Sequence, residues 1–120
     1  MSIITREILL KARTLIADPK HWTKGEMART QSGRPTTTTS PTACQWCSVG
    51  AITKAAREVD PSYDTNACYG AMTGLRLVTR EVMEKEGYQD DLRNNLAVFN
   101  DTHTHAEILS AFDKAIDASI

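Results

Sequence analysis

The chain has 120 residues, 41% of them apolar and 24% charged, with a net charge of −1 at neutral pH. That is chain enough for one domain with a core of its own, and the composition excludes disorder. A charge so near zero excludes broad attraction to nucleic acid or acidic membranes as the main activity.

The charge is nevertheless uneven. Residues 1–34 hold seven Lys/Arg against three acids, and residues 60–120 hold five against eleven. Compensation between the two parts inside the fold is the simplest expectation. Three cysteines, no signal-like apolar N-terminus and no apolar run of about 18 residues predict free thiols in a reducing cytoplasm and no membrane span. Residues 1–120 are read as a single helical domain.

Ile4, Ile8, Ala12, Leu15 and Ile16 recur at helical spacing, so residues 3–17 predict the first helix. Asp18-Pro19 stops it, because the proline ring disfavours helical geometry in the residue before it. Lys20 to Arg34 lacks clean periodicity and is expected to be an irregular connection, anchored on the core by Trp22. Gln31 to Thr42 is low in complexity, with no residue able to build a core, and reads as a mobile surface loop.

Residues 43–59 predict the second helix, with Cys44, Cys47, Ala51, Ile52, Ala55 and Val59 on one stripe and Asp60-Pro61 as its end. Gly50 inside it costs about 1 kcal/mol against alanine, so another backbone or a ligand is expected to approach there. A turn at Pro61-Ser62-Tyr63-Asp64 leads to a third helix over 65–86, with Cys68, Leu75 and Val82 seven apart and Gly87 as its C′ residue. Residues 89–99 predict a short fourth helix through Leu92, Leu96 and Phe99. The last helix has a capping box, Thr104 with Glu107, ahead of the stripe Ile108, Leu109, Phe112 and Ile116. No alternating strand pattern stands out. The expected class is therefore all-α: a single-domain bundle of four to five helices with a mobile Thr-rich loop.

Cys44-Gln45-Trp46-Cys47 is the densest cluster of chemically capable side chains. Its C-x-x-C spacing suits thiol–disulfide exchange, but no strand is predicted to precede it as in a redox βαβ unit. With His103 and His105 the two thiols make a Cys₂His₂ set for zinc, although H-x-H is tighter than the usual finger spacing. A third chemistry uses Cys47 as nucleophile near a helix N-terminus, His105 as base and Asn100 or Asp101 as the orienting group. His105, on the stripe of the last helix, is expected to point inward. Each of these residues also has a plain packing role, and Cys68 reads as packing.

Three stretches together resemble a family of short bacterial and phage proteins of unknown function. They are Trp22-Thr23-Lys24-Gly25 with Ala28-Arg29, then Cys44-Gln-Trp-Cys47-Ser-Val-Gly50-Ala51, then Asn100-Asp101 with Thr104-His105-Ala106-Glu107-Ile108-Leu109 and Phe112-Asp113-Lys-Ala-Ile116. The resemblance marks Trp22, Gly25, Cys47, Gly50, Asn100, Asp101 and His105 as matching positions and leaves His103 outside them. It implies no activity, and its setting is analogous to that of small proteins that bind host machinery or sequester a ligand.

The expected function is accordingly a non-enzymatic accessory protein that binds a host protein or a small anionic ligand. Trp22, Lys24, Arg29, Trp46, Asn100 and His105 would form its binding site, and no metal, cofactor, nucleic acid or membrane is expected. The alternative is a cysteine-dependent hydrolase or transferase using Cys47, His105 and Asp101.

Overall fold

A computed structural model describes residues 3–61 and 65–119. The turn expected at residues 61–64 therefore lies, Pro61 apart, outside the described residues. The elements in chain order are α1 (Ile3–Leu15), a short 3-10 turn (Pro19–His21), β1 (Ala28–Thr30), β2 (Ala43–Trp46), α2 (Ser48–Val59), α3 (Thr65–Lys85), α4 (Asp90–Arg93), α5 (Leu96–Thr102) and α6 (His105–Ala118). The class is a mostly α single domain, as the periodicities imply.

The helical count is six among the described residues, because the stretch expected as one fourth helix divides. Asn95 caps α5 by accepting the N–H groups of Ala97 and Val98, which starts a new helix where one continuous helix was expected. α1 ends at Leu15, two residues short of the expected end ahead of Asp18-Pro19, and that pair does more than stop a helix. The Asp18 carboxylate accepts the Lys20 N–H and caps the 3-10 turn.

α1 packs against α2, α3 and α6 and is the central element of the helical layer. Its buried face is Ile8, Leu9 and Ala12, continued by Ile16, whereas Ile4, expected on that face, is exposed. Ile52 and Ala55 from α2, Leu75 and Met83 from α3, and Ile108, Phe112 and Ile116 from α6 complete the core. The C-terminal turn of α3 closes as a Schellman motif, with Tyr88 N–H on the Met83 carbonyl and Gly87 N–H on that of Glu84. The capping box of α6 is formed in both directions between Thr104 and Glu107. Arg13 pairs with Asp113, which joins the basic N-terminal part to the acidic C-terminal one, and Lys11 pairs with Glu58 of α2.

Two expectations are corrected. A two-stranded antiparallel sheet pairs Ala28 with Trp46, Arg29 with Gln45 and Thr30 with Ala43. Consequently Ala43–Trp46 is strand, the helix begins only at Ser48, and Cys44 and Cys47 do not share a helical stripe. The Thr-rich segment is also held in place. Thr36 donates its N–H to Ala28, Pro35 bridges to Arg29, and the buried indole N–H of Trp46 reaches the Thr38 carbonyl at 3.0 Å.

Candidate functional site

The three marked stretches converge where β2 turns into α2. Cys47 is the N-cap of α2: its backbone is extended and its thiol sulfur accepts the Gly50 N–H at 3.3 Å. Its own N–H donates to the Met27 carbonyl at 3.2 Å, which lays residues 25–27 across the start of the helix. Gly50 makes that crossing possible, because a Cβ there would stand 1.9 Å from the Met27 carbonyl oxygen. The close approach expected at this glycine is therefore that of another backbone.

Asn100, on α5, ties the stretches together. Fully buried, it uses both ends of its amide. Oδ1 accepts from Trp22 Nε1 (2.8 Å), Ser48 N (3.0 Å) and Ser48 Oγ (2.8 Å). Nδ2 donates to the Thr23 carbonyl (3.0 Å) and to Asp101 Oδ1 (3.1 Å). Asp101 Oδ1 in turn accepts the Gly25 N–H at 3.0 Å, with Gly25 at a φ of +83° that side-chain-bearing residues rarely adopt. A buried amide so fully bonded fixes the relative positions of three segments.

The remaining candidates are partly engaged in the same way. Arg29 spends its guanidinium on Thr23 Oγ1 and on the Lys24 and Gly33 carbonyls. Trp46 is buried, with its N–H on Thr38 and the Lys54 ammonium over its ring. Trp22 is half-buried between two groups, the His105 ring with centroids 5.4 Å apart and the Lys24 ammonium 5.3 Å from its centroid. His105 donates from Nε2 to the Ile16 carbonyl at 2.7 Å, so its ring is bound to the end of α1. Among the described residues no hydrogen bond joins His105 to Cys47.

Burial pushes the Cys47 thiol above the ordinary thiol range. The Gly50 and Val49 N–H groups partly offset this, and the nearby Asp101 charge adds to the rise. The helix N-terminus thus does not prevail: desolvation outweighs it, and Cys47 is a neutral thiol at neutral pH.

Cys47 nevertheless borders an open hollow of about 300 Å³ with Gly25, Glu26, Met27, Val49, Ala97 and Asp101. The structure thus brings Cys47 and Asp101 to one hollow, groups Trp22, Lys24 and His105 together outside its lining, and places Arg29 and Trp46 in the supporting sheet. Sequence reasoning missed Ser48, whose hydroxyl and N–H meet Asn100. The signal for it was a serine in the first turn of a helix, directly after the cysteine. Glu26, Met27, Val49 and Ala97 carried no such signal. Among the described residues Cys44, Cys47, His103 and His105 do not gather as a metal set.

The fold and this convergence define a small, mostly helical domain in which one buried amide ties the Trp22–Thr23 segment and the start of α2 to α5. A model of a family of unknown function (DUF6197) matches residues 2–118, and the chain belongs to that family. No curated protein and no solved structure matches the chain. No helix among the described residues is long and apolar enough to cross a membrane.

Proposed function

We propose that the protein is a non-enzymatic bacterial or phage accessory protein acting in the bacterial cytoplasm, and that its occupant is a host protein docking at the hollow beside Cys47. The observation that carries this reading is the engagement of Cys47 and His105 within the fold. The Cys47 sulfur caps α2 and is held neutral, and His105 is bonded to Ile16. The cysteine-dependent alternative needs a thiolate with a base in reach, and those two engagements weigh against it.

Of the two occupants expected, a small anion is disfavoured. The hollow carries the carboxylates of Glu26 and Asp101 with apolar Met27, Val49 and Ala97, and no lysine or arginine lines it. An apolar side chain flanked by a basic one, presented by a protein partner, suits that lining.

Ala97 is exposed, and its side chain projects no polar atom into the network. Ala97→Arg should therefore fill and recharge the hollow while leaving the fold intact. Affinity capture from bacterial lysate should yield a saturable partner with the wild type and lose it with Ala97→Arg at unchanged melting temperature. Retention of the same partner by the variant would sink the assignment to this hollow. A rise in melting temperature with nucleotides or other small anions, abolished by Lys24→Ala, would instead favour the anionic ligand.

A further inference from the structure

We propose that Glu86, His103 and Glu107 form a binding site for a first-row divalent transition cation of the zinc class. Their ligand atoms lie within 4.8 Å of one another, and this set lies apart from Cys47 and its hollow.

The histidine is prepared as a ligand. Its side chain is buried and stacks on Phe99 with centroids 4.0 Å apart and planes 18° from parallel. Nδ1 stands 2.9 Å from both the Phe99 carbonyl and Thr102 Oγ1. The Thr102 hydroxyl proton is directed to the Val98 carbonyl at 2.7 Å, so both neighbours of Nδ1 accept, and Nδ1 carries the hydrogen. A carbonyl fixing one ring nitrogen so that the other is free to ligate is the usual outer arrangement of a metal-bound histidine.

Nε2 then faces Glu86 Oε1 at 2.7 Å. A ring lone pair and a carboxylate oxygen at that distance require a positive centre between them, either a second ring proton or a cation. Ligands on one tetrahedral zinc stand ~3.3 Å apart, so binding opens the pair slightly. Glu86 is 40% exposed and can follow, whereas the stacked ring is fixed.

Glu107 supplies the second carboxylate. Its Oε1 accepts the Thr104 N–H at 2.9 Å, which orients the group and leaves the other oxygen available. Among the described residues neither carboxylate pairs with a lysine or arginine. The carbonyl end of α3, just before Glu86, attracts a cation, and Glu107 offsets the opposing amino end of α6. One imidazole with two carboxylates suits zinc and its neighbours, while magnesium and calcium prefer all-oxygen shells. A bound cation would clasp the end of α3 to the junction of α5 and α6.

The test uses the full chain stripped of metal with chelator and then titrated with Zn²⁺. We expect one equivalent to bind and raise the melting temperature, with Mg²⁺ inactive. Glu86→Gln and Glu107→Gln should each weaken Zn²⁺ by about tenfold or more. Glutamine still serves in a capping box, so Glu107→Gln keeps the cap. Co²⁺ in the wild type should show d–d bands without a sulfur charge-transfer band. No uptake, uptake unchanged in both glutamine variants, or a sulfur band pointing to Cys44 or Cys47 would each overturn the assignment. Should a variant fail to fold, the wild-type Co²⁺ spectrum decides alone.

Discussion

Asn100 accepts the indole N–H of Trp22 at 2.8 Å across 78 positions of the chain, and the same oxygen takes two hydrogen bonds from Ser48. Asn100→Ala therefore strands the two buried Ser48 donors and the part-buried Trp22 N–H and Thr23 carbonyl. Each unsatisfied buried group costs about 1–3 kcal/mol, so a loss of about 3 kcal/mol or more is expected, a large share of a small domain's stability. Urea unfolding followed by tryptophan fluorescence measures it. A loss under about 1 kcal/mol would mean that water replaces the amide and that the three segments are not held by it.

Gly50→Ala separates helix propensity from tertiary contact. Propensity alone favours alanine within α2 by about 1 kcal/mol. The new Cβ, however, meets the Met27 carbonyl oxygen, which belongs to backbone pinned by the Cys47 N–H and cannot yield as a flexible side chain does. The expected sign is thus opposite to propensity, a destabilisation of about 1–3 kcal/mol. A thermal melt at or above that of the wild type would show that residues 25–27 move freely.

Cys47 should behave as a cap, not as a nucleophile. Serine is a strong N-cap, so Cys47→Ser should leave stability within about 1 kcal/mol of the wild type. Iodoacetamide at neutral pH should modify half-buried Cys44 faster than Cys47, as mass spectrometry of the labelled peptides would show. The folded state raises the Cys47 thiol above its unfolded value, so the folded chain holds that proton more tightly. The associated stability is complete below the unfolded thiol value and is lost as pH rises through the folded one. Wild-type stability should therefore fall more steeply in the alkaline range than that of Cys47→Ser. Rapid labelling of Cys47, suppressed by His105→Ala, would restore the catalytic reading.

What the sequence disclosed was governed by local rules. The Thr104–Glu107 box, the Asp18-Pro19 stop and the Gly87 terminus each depend on neighbours within a few positions, and each is in place. The strands were hidden because three and four residues are too few to show an alternation of period two. Their effect was large: they moved the start of α2 past Cys47, so the first two positions of the predicted helical stripe became a strand residue and a cap. The sequence offers Asn100 as an orienting group for a catalytic pair and as a match in a motif, not as the tie between segments. Its bonding depends on residues near 22, 48 and 101 meeting in space, which no periodicity encodes. His103 lies outside the motifs and in an H-x-H spacing too tight for a finger, and its pairing with Glu86 likewise joins segments distant in the chain.

Arg29 shows the same non-local logic in the Thr-rich segment and supports a last prediction. Its Nε and two terminal nitrogens reach Thr23 Oγ1 and the Gly33 and Lys24 carbonyls, all between 2.9 and 3.0 Å, so one planar fork closes the loop over β1. Lysine keeps the charge but cannot span three acceptors in a plane. Arg29→Lys should therefore loosen residues 31–42 while leaving the helical core intact. Hydrogen bonds from charged donors contribute about 1.5–3 kcal/mol each, and 1.4 kcal/mol is about a tenfold change in local opening. Cleavage within residues 31–42 by a protease of broad specificity should rise about tenfold or more, at a nearly unchanged global melting temperature. Equal cleavage rates would show that the Thr36 and Trp46 hydrogen bonds hold the segment without Arg29. A melting temperature that falls in step with cleavage would show instead that loop and core open together.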